Sequence, residues 1–200
     1  MTQTTYDLLK NIADLLQNVA LLVALTVGLQ LLTRRFERHA VRYQLFKGLL
    51  FGIVGVVGMM TPMHFAPGVI YDGRSIVLSL AGLFGGGTTA LIAGLLCAAY
   101  RLYLGGPGAL AGVLVIAEAA ALGTLLHYLR RRNERWASLP ALWAFGLLVH
   151  AIMMLLQLLI PDSVGYDVFR QVGPIVLVLY PVGFLLAAQV FLEGERKREN

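Results

Sequence analysis

Apolar residues are gathered into seven runs along the chain, at 12–32, 45–64, 75–84, 88–104, 109–129, 139–160 and 172–192, with short polar or glycine-rich punctuation between them. A helix needs about 20 apolar residues to cross a hydrocarbon layer of about 30 Å. Most of the runs meet that length, the fourth falls slightly short, and the third misses it badly. The third begins after a Pro67–Arg74 loop and ends in Gly85, Gly86 and Gly87. It reads as a short or partly re-entrant helix, whose break is tolerable only where protein or a watery cavity covers the freed backbone groups. Broken helices of this kind tend to border binding sites. Pro174 and Pro181 fall inside the last run and predict a bent helix, because each removes a backbone donor. The pattern predicts an all-α, polytopic membrane bundle of about seven helical segments.

Composition agrees. Hydrophobic residues make up 58% of the 200 and charged residues 14%, against about 45–50% and about 25% in soluble domains. A formal charge of +5 would suit nucleic acid, but the basic residues sit between apolar runs and set topology instead, so no nucleic-acid partner is expected. Basic residues follow the first run (Arg34, Arg35, Arg38, Arg42, Lys47), the fifth (Arg130, Arg131, Arg132, Arg135) and the last (Arg196, Lys197, Arg198). Counting seven crossings from an external N-terminus puts all three regions, and the C-terminus, in the cytoplasm. The loops at 67–75, 105–108 and 161–171 then face outward. Asp7 and Asp14 precede the first run without a basic leader, which argues against a cleaved signal sequence. The single cysteine, Cys97, allows no internal disulfide and reads as a small core residue.

Two arginines stand inside apolar helical sequence on this outer side, Arg74 at the head of the third run and Arg101 near the end of the fourth. Such residues are costly in lipid unless they meet a carboxylate, a carbonyl, water or a ligand. Two guanidinium forks suit a carboxylate or phosphate held bidentately. Asp72, Ser75, Tyr71, Tyr100 and Tyr103 are placed to orient a small polar molecule or to pair with the arginines, and the Gly105–Gly106 turn lets backbone approach a ligand. The bland alternative pairs Arg74 with Asp72 and lets Arg101 snorkel to the head groups. Glu118 falls about 15 Å past the glycine turn, near the bilayer midplane. It must be protonated, hydrated or paired: it either pairs with Arg101 or His150, or stays neutral and hydrogen-bonds a ligand or a neighbouring helix, and it is counted among the candidate ligand-binding residues. His64, His150 and Gln157 rank below the arginines as interhelical hydrogen-bonders, and His127 reads as interfacial. Gly48, Gly52, Gly55 and Gly58 recur at helical spacing on the second run, a pattern for close helix packing.

The run PGVIYDGRSIVLSLAGLFGG, followed by YRLYLGGPGALAG, resembles the LytS-YhcK type five-transmembrane receptor domain (5TMR-LYT) at the N-terminus of bacterial histidine kinases and diguanylate cyclases. The likeness is close over 67–112 and rests on segment spacing over about 45–192. It implies a signal receiver for a cytoplasmic kinase or diguanylate cyclase, with no chemistry of its own. Kinase-linked members are associated with small carboxylates such as pyruvate, and the DGR and YR arginines, here Arg74 and Arg101, are the implied anion contacts. The kinase branch tends to carry small polar or thiol side chains shortly after the GG turn. This chain has Gly112 and Val115 there, so the likeness does not extend to pyruvate itself. The helix pattern is also similar to substrate-binding subunits of energy-coupling vitamin transporters, which implies a six-helix bundle with one helix added in front.

The resulting division is an N-terminal helix with a basic loop at 1–44, a sensor bundle at 45–193, and the start of a linker at 194–200. EGERKREN at the end reads as the first turns of a coiled connection to an output domain, with a homodimer expected in the full-length protein. No nucleophile–base pair, HExxH, CxxC or phosphate-binding loop is present, so neither catalysis, a metal nor a cofactor is expected. The expected partners are a small anionic metabolite and the lipid bilayer. The competing readings are a transporter's substrate-binding subunit and a ligand-free dimerising anchor.

Overall fold

The computed structural model describes residues 28, 41–60, 63–66, 69–161 and 163–199. The leading apolar run, apart from Gly28, and the arginines at 34–38 lie outside them. Five helices are present among the described residues: α1 (Val41–Met60), α2 (Arg74–Leu104), α3 (Ala109–Arg132), α4 (Leu139–Gln157) and α5 (Val164–Glu199), with a short 3-10 turn, Glu134–Ala137, before α4. All five are long and apolar enough to cross a bilayer. Their outward faces carry Leu91, Leu95, Leu102, Val178 and Leu186, while Arg74, Ser75, Arg101 and His150 are buried. Apolar outside and polar inside inverts the soluble arrangement and is what a lipid solvent selects.

The expectation of about seven helical segments is not met. The runs at 75–84 and 88–104 belong to one element, α2, in which only Gly86 leaves helical geometry (φ 72°, ψ −174°). That corner of backbone space is essentially reserved for glycine. A single residue there breaks the element into two helical halves, so the boundary read in the sequence is a kink at Gly86 within one element rather than a loop between two separate ones. The neighbours along α3 show how far the path turns. Ser79 and Gly82 lie against Gly123, Gly86 against His127, then Gly87 against Thr124 and Tyr128, Gly94 against Ile116 and Ala120, and Arg101 against Gly112. The two halves of α2 therefore follow α3 in opposite senses, the first covering about 18 Å at 1.5 Å per residue.

Breaking a helix strands its last carbonyls. Here other elements supply donors: His127 Nδ1 on α3 lies 2.8 Å from the Leu83 carbonyl, and Lys47 Nζ on α1 donates to the Phe84 carbonyl at 2.5 Å. Small residues then let the elements close up. A side chain at Gly82 would run into the backbone of Gly123 and Thr124, and side chains at Gly48, Gly52 and Gly55 would meet Ile92, Leu96 and Cys97. Three of the four glycines on α1 thus serve packing within the bundle, whereas a side chain at Gly58 would meet no described residue. Phe51, Phe84 and Phe191 stack to join α1, α2 and α5, at 6.1 and 5.0 Å between centroids.

Two other features differ from the sequence reading. Part of the expected 67–75 loop is an antiparallel hairpin, β1 (Met63–Ala66) with β2 (Val69–Tyr71), which pairs Met63 with Tyr71 and His64 with Ile70. The second helix correspondingly stops at Met60. The last helix starts at Val164 rather than 172, taking up most of the expected outer loop, and contains both prolines. Polar residues at 166, 167, 170 and 171 hid its first two turns from an apolarity criterion.

Candidate ligand-binding site

The head of α2 is held by the side chain that precedes it. Asp72 accepts the Arg74 backbone N–H through Oδ1 and the Arg74 guanidinium through Oδ2, both at 2.9 Å. A carboxylate at a helix start satisfies an orphan donor and meets the positive end of the helix dipole. The pair is enclosed: the Arg74 side chain is 7% exposed and that of Asp72 1%. Burial pushes the Asp72 carboxyl above the usual carboxylate range, opposed by the Arg74 charge, by its backbone hydrogen bond and by the charge of Arg101.

Arg101 reaches this cluster from the far end of α2. It is buried, its Nη1 donates to the Gly105 carbonyl at 2.6 Å, and it feels the charges of both Arg74 and Asp72. The turn beneath it uses Gly105 and Gly106 at φ 65° and 84°, which aims the Gly105 carbonyl back at the guanidinium. Gly112 completes the seat, because a Cβ there would stand 2.6 Å from Arg101 Nε. Glycine at that position, noted in the sequence only as a missing polar group, is what lets the arginine lie flat on α3.

Two further helices join through Ser75. Its hydroxyl is 3.2 Å from His150 Nε2 on α4, while His150 Nδ1 is 2.7 Å from the Gly146 carbonyl. A carbonyl only accepts, so Nδ1 carries the proton and Nε2 receives the Ser75 hydroxyl. The Tyr180 ring on α5 stands edge-on to His150 at 5.1 Å, and its hydroxyl points to the Asp72 carbonyl at 3.4 Å. Arg74, Arg101, Asp72 and Ser75 thus come together with the Gly105 turn. His150 joins them from a lower rank, and Tyr180 was not singled out at all. Only the two prolines flagged its helix, and nothing in its apolar surroundings distinguished it from core.

Other candidates lie elsewhere. Tyr103 is 84% exposed on the outer surface of α2, and Tyr100 packs against the core. Tyr71 is placed by its backbone in β2, its side chain lying outside the described residues, as does that of His64. Glu118 is two residues beyond Ile116, which faces α2, and so stands about 200° round the helix from that contact. Both of its carboxylate oxygens are buried without a hydrogen-bond partner among the described residues, and it pairs with neither Arg101 nor His150. Gln157 donates to the Met153 carbonyl on its own helix at 3.3 Å. Among the described residues no group of histidines, cysteines and carboxylates could hold a metal ion.

A multi-pass helical bundle with a buried cluster of arginines defines a membrane protein built around a polar interior site. Its family follows from comparison: the model described as 5TMR of 5TMR-LYT matches residues 18–193. The chain belongs to that family of five-transmembrane sensory domains, whose membrane part is not itself catalytic. No curated protein and no solved structure matches it.

Proposed function

We propose that this chain is the receptor module of a signalling protein, binding a small carboxylate-type anion at Arg74 and Arg101 from the outer face of a bacterial inner membrane. In this reading residues 45–193 form the sensor bundle, α5 passes the state of the site inward, and residues 194–200 begin the linker to a kinase or diguanylate cyclase. The observation that carries it is the buried Arg74–Asp72 pair with a second buried guanidinium, Arg101, close enough to feel both charges. Buried arginines at a membrane helix end are expensive unless they serve a structural or ligand contact. Asp72 takes only Nη1 of the Arg74 guanidinium and leaves Nε buried without a hydrogen-bond partner among the described residues, so a bound anion has a donor to take up. Tyr180 on the last helix touches the Asp72 carbonyl, which puts that site next to the helix that leads inward.

The test is a thermal-shift screen of small carboxylates and phosphates on the purified protein, beside Arg74→Ala and Arg101→Ala. A ligand that binds only the folded state stabilises it by about 2.7 kcal/mol at one hundred times its dissociation constant. The expected result is a shift specific to a few anions and lost in both variants. If none of the anions shifts the wild type while both variants fold with unchanged stability, the receptor reading fails in favour of a ligand-free anchor.

A further inference from the structure

The rod that carries Arg74 ends on the contacts that hold the last helix. Residues 74–85 run from the arginine cluster to the bend at Gly86. At that end the Leu83 carbonyl is bound by His127 of α3 and the Phe84 carbonyl by Lys47 of α1. The Phe84 ring stacks on Phe191 of α5 at 5.0 Å, and the Arg130 guanidinium of α3 lies over the same ring at 5.0 Å. Arg130 in turn bonds Glu195 of α5 at 2.9 Å. One aromatic ring, fixed to the end of the site-bearing rod, thereby touches α5 directly at Phe191 and also touches Arg130, which holds Glu195 of α5.

We propose that residues 74–85 act as a push-rod between the arginine cluster and a latch on the last helix formed by Phe84, Arg130 and Glu195. A helical segment does not compress appreciably, so a shift of Arg74 along the rod axis appears at Phe84. Its carbonyls are tied by side chains of α1 and α3 rather than by the next turn, which leaves Phe84 able to move without breaking backbone pairing. The latch is suited to opening: the Arg130 and Glu195 side chains are 17% and 36% exposed, and a part-exposed ion pair is weak. Arg130 shares its surroundings with Arg131 and Lys47, all three acting on His127 of α3, so losing its partner Glu195 leaves Arg130 among like charges. The proposal rests on the receptor reading for its purpose, while its test needs no ligand.

Hydrogen–deuterium exchange of the amides at 191–197 in the purified full chain reads the latch. Arg74→Ala perturbs the site end of the rod and is expected to speed exchange there by about fivefold or more, the lower end of ordinary coupling between sites. In an Arg130→Gln background the latch is already open, and adding Arg74→Ala should change exchange by less than about twofold. Should Arg74→Ala fail to fold, Arg74→Lys, which keeps the charge but loses the fork, takes its place with the same expected pattern. Unchanged exchange at 191–197, or an equal effect of the site variant with and without Arg130, overturns the rod and latch. A parallel thermal-shift series with sodium pyruvate and sodium acetate separates the two ideas. Absent stabilisation there counts against the ligand alone, whereas the exchange pattern decides the latch.

Discussion

Removing the Asp72 carboxylate should destabilise this bundle more than any other single change of similar size around the head of α2. Asp72→Ala deletes two hydrogen bonds at 2.9 Å, one to a backbone donor at a helix head and one to a guanidinium 7% exposed. Loss of a cap costs about 1 kcal/mol, and leaving a buried charge without its partner costs about 3–5 kcal/mol. The terms overlap, since both act through one side chain, so a total of about 3–5 kcal/mol is expected. Reversible unfolding of the purified protein in mixed micelles, followed by circular dichroism, measures it. The partner variant supplies the control: Asp72→Ala combined with Arg74→Met removes the orphaned charge and should recover most of the loss, because a buried ion pair exchanged for apolar groups is often close to neutral. Acetate, the smallest stand-in for the missing side chain, should stabilise Asp72→Ala more than wild type. An Asp72→Ala loss below about 1 kcal/mol, or a double variant no more stable than the single one, would refute the view that this pair is a desolvated charge pair.

The bend and the packing offer further tests. Gly86→Ala places a side chain at φ 72° and should cost about 1–3 kcal/mol, while Gly87→Ala, without such a dihedral, should fall within about 1 kcal/mol of wild type or stabilise the helix; unfolding midpoints compare the two. Gly123→Ala drives a methyl into the Ser79 backbone and should cost at least about 1–3 kcal/mol as overpacking, with Gly94→Ala, whose added methyl meets Ile116 and Ala120 at ordinary contact distance, as the mild control. Cys97 is fully buried with its thiol toward the Gly52 carbonyl, so a maleimide should label it only after unfolding, and rapid labelling of the folded protein would contradict the packing of α1 on α2. Ser75→Ala removes the hydroxyl that His150 accepts and should cost about 0.6 kcal/mol, with an upper range near 2, as hydrogen bonds between membrane helices do.

The all-helical membrane character, the positions of most helices and the two arginines were legible in the chain because lipid imposes a one-dimensional rule: apolar length and the rarity of charge are visible residue by residue. The glycine triplet likewise announced a break. What apolarity could not tell is that the two helical halves meet at a kink with no loop between them, since that depends on a single dihedral at Gly86 and on Lys47 and His127 arriving to bind the freed carbonyls. Nor could it show the hairpin at 63–71, whose backbone pairs close a loop that has no apolar period of its own. The site divides the same way. Arg74, Asp72 and Arg101 could be named from local chemistry, but His150 and Tyr180 reach them across 75 and 108 residues of chain. Glu118, equally conspicuous as a buried carboxylate, lies away from them because two residues turn a helix about 200°. Residue type is a property of the chain, whereas convergence depends on which faces of five packed helices meet, and only the tertiary structure decides that.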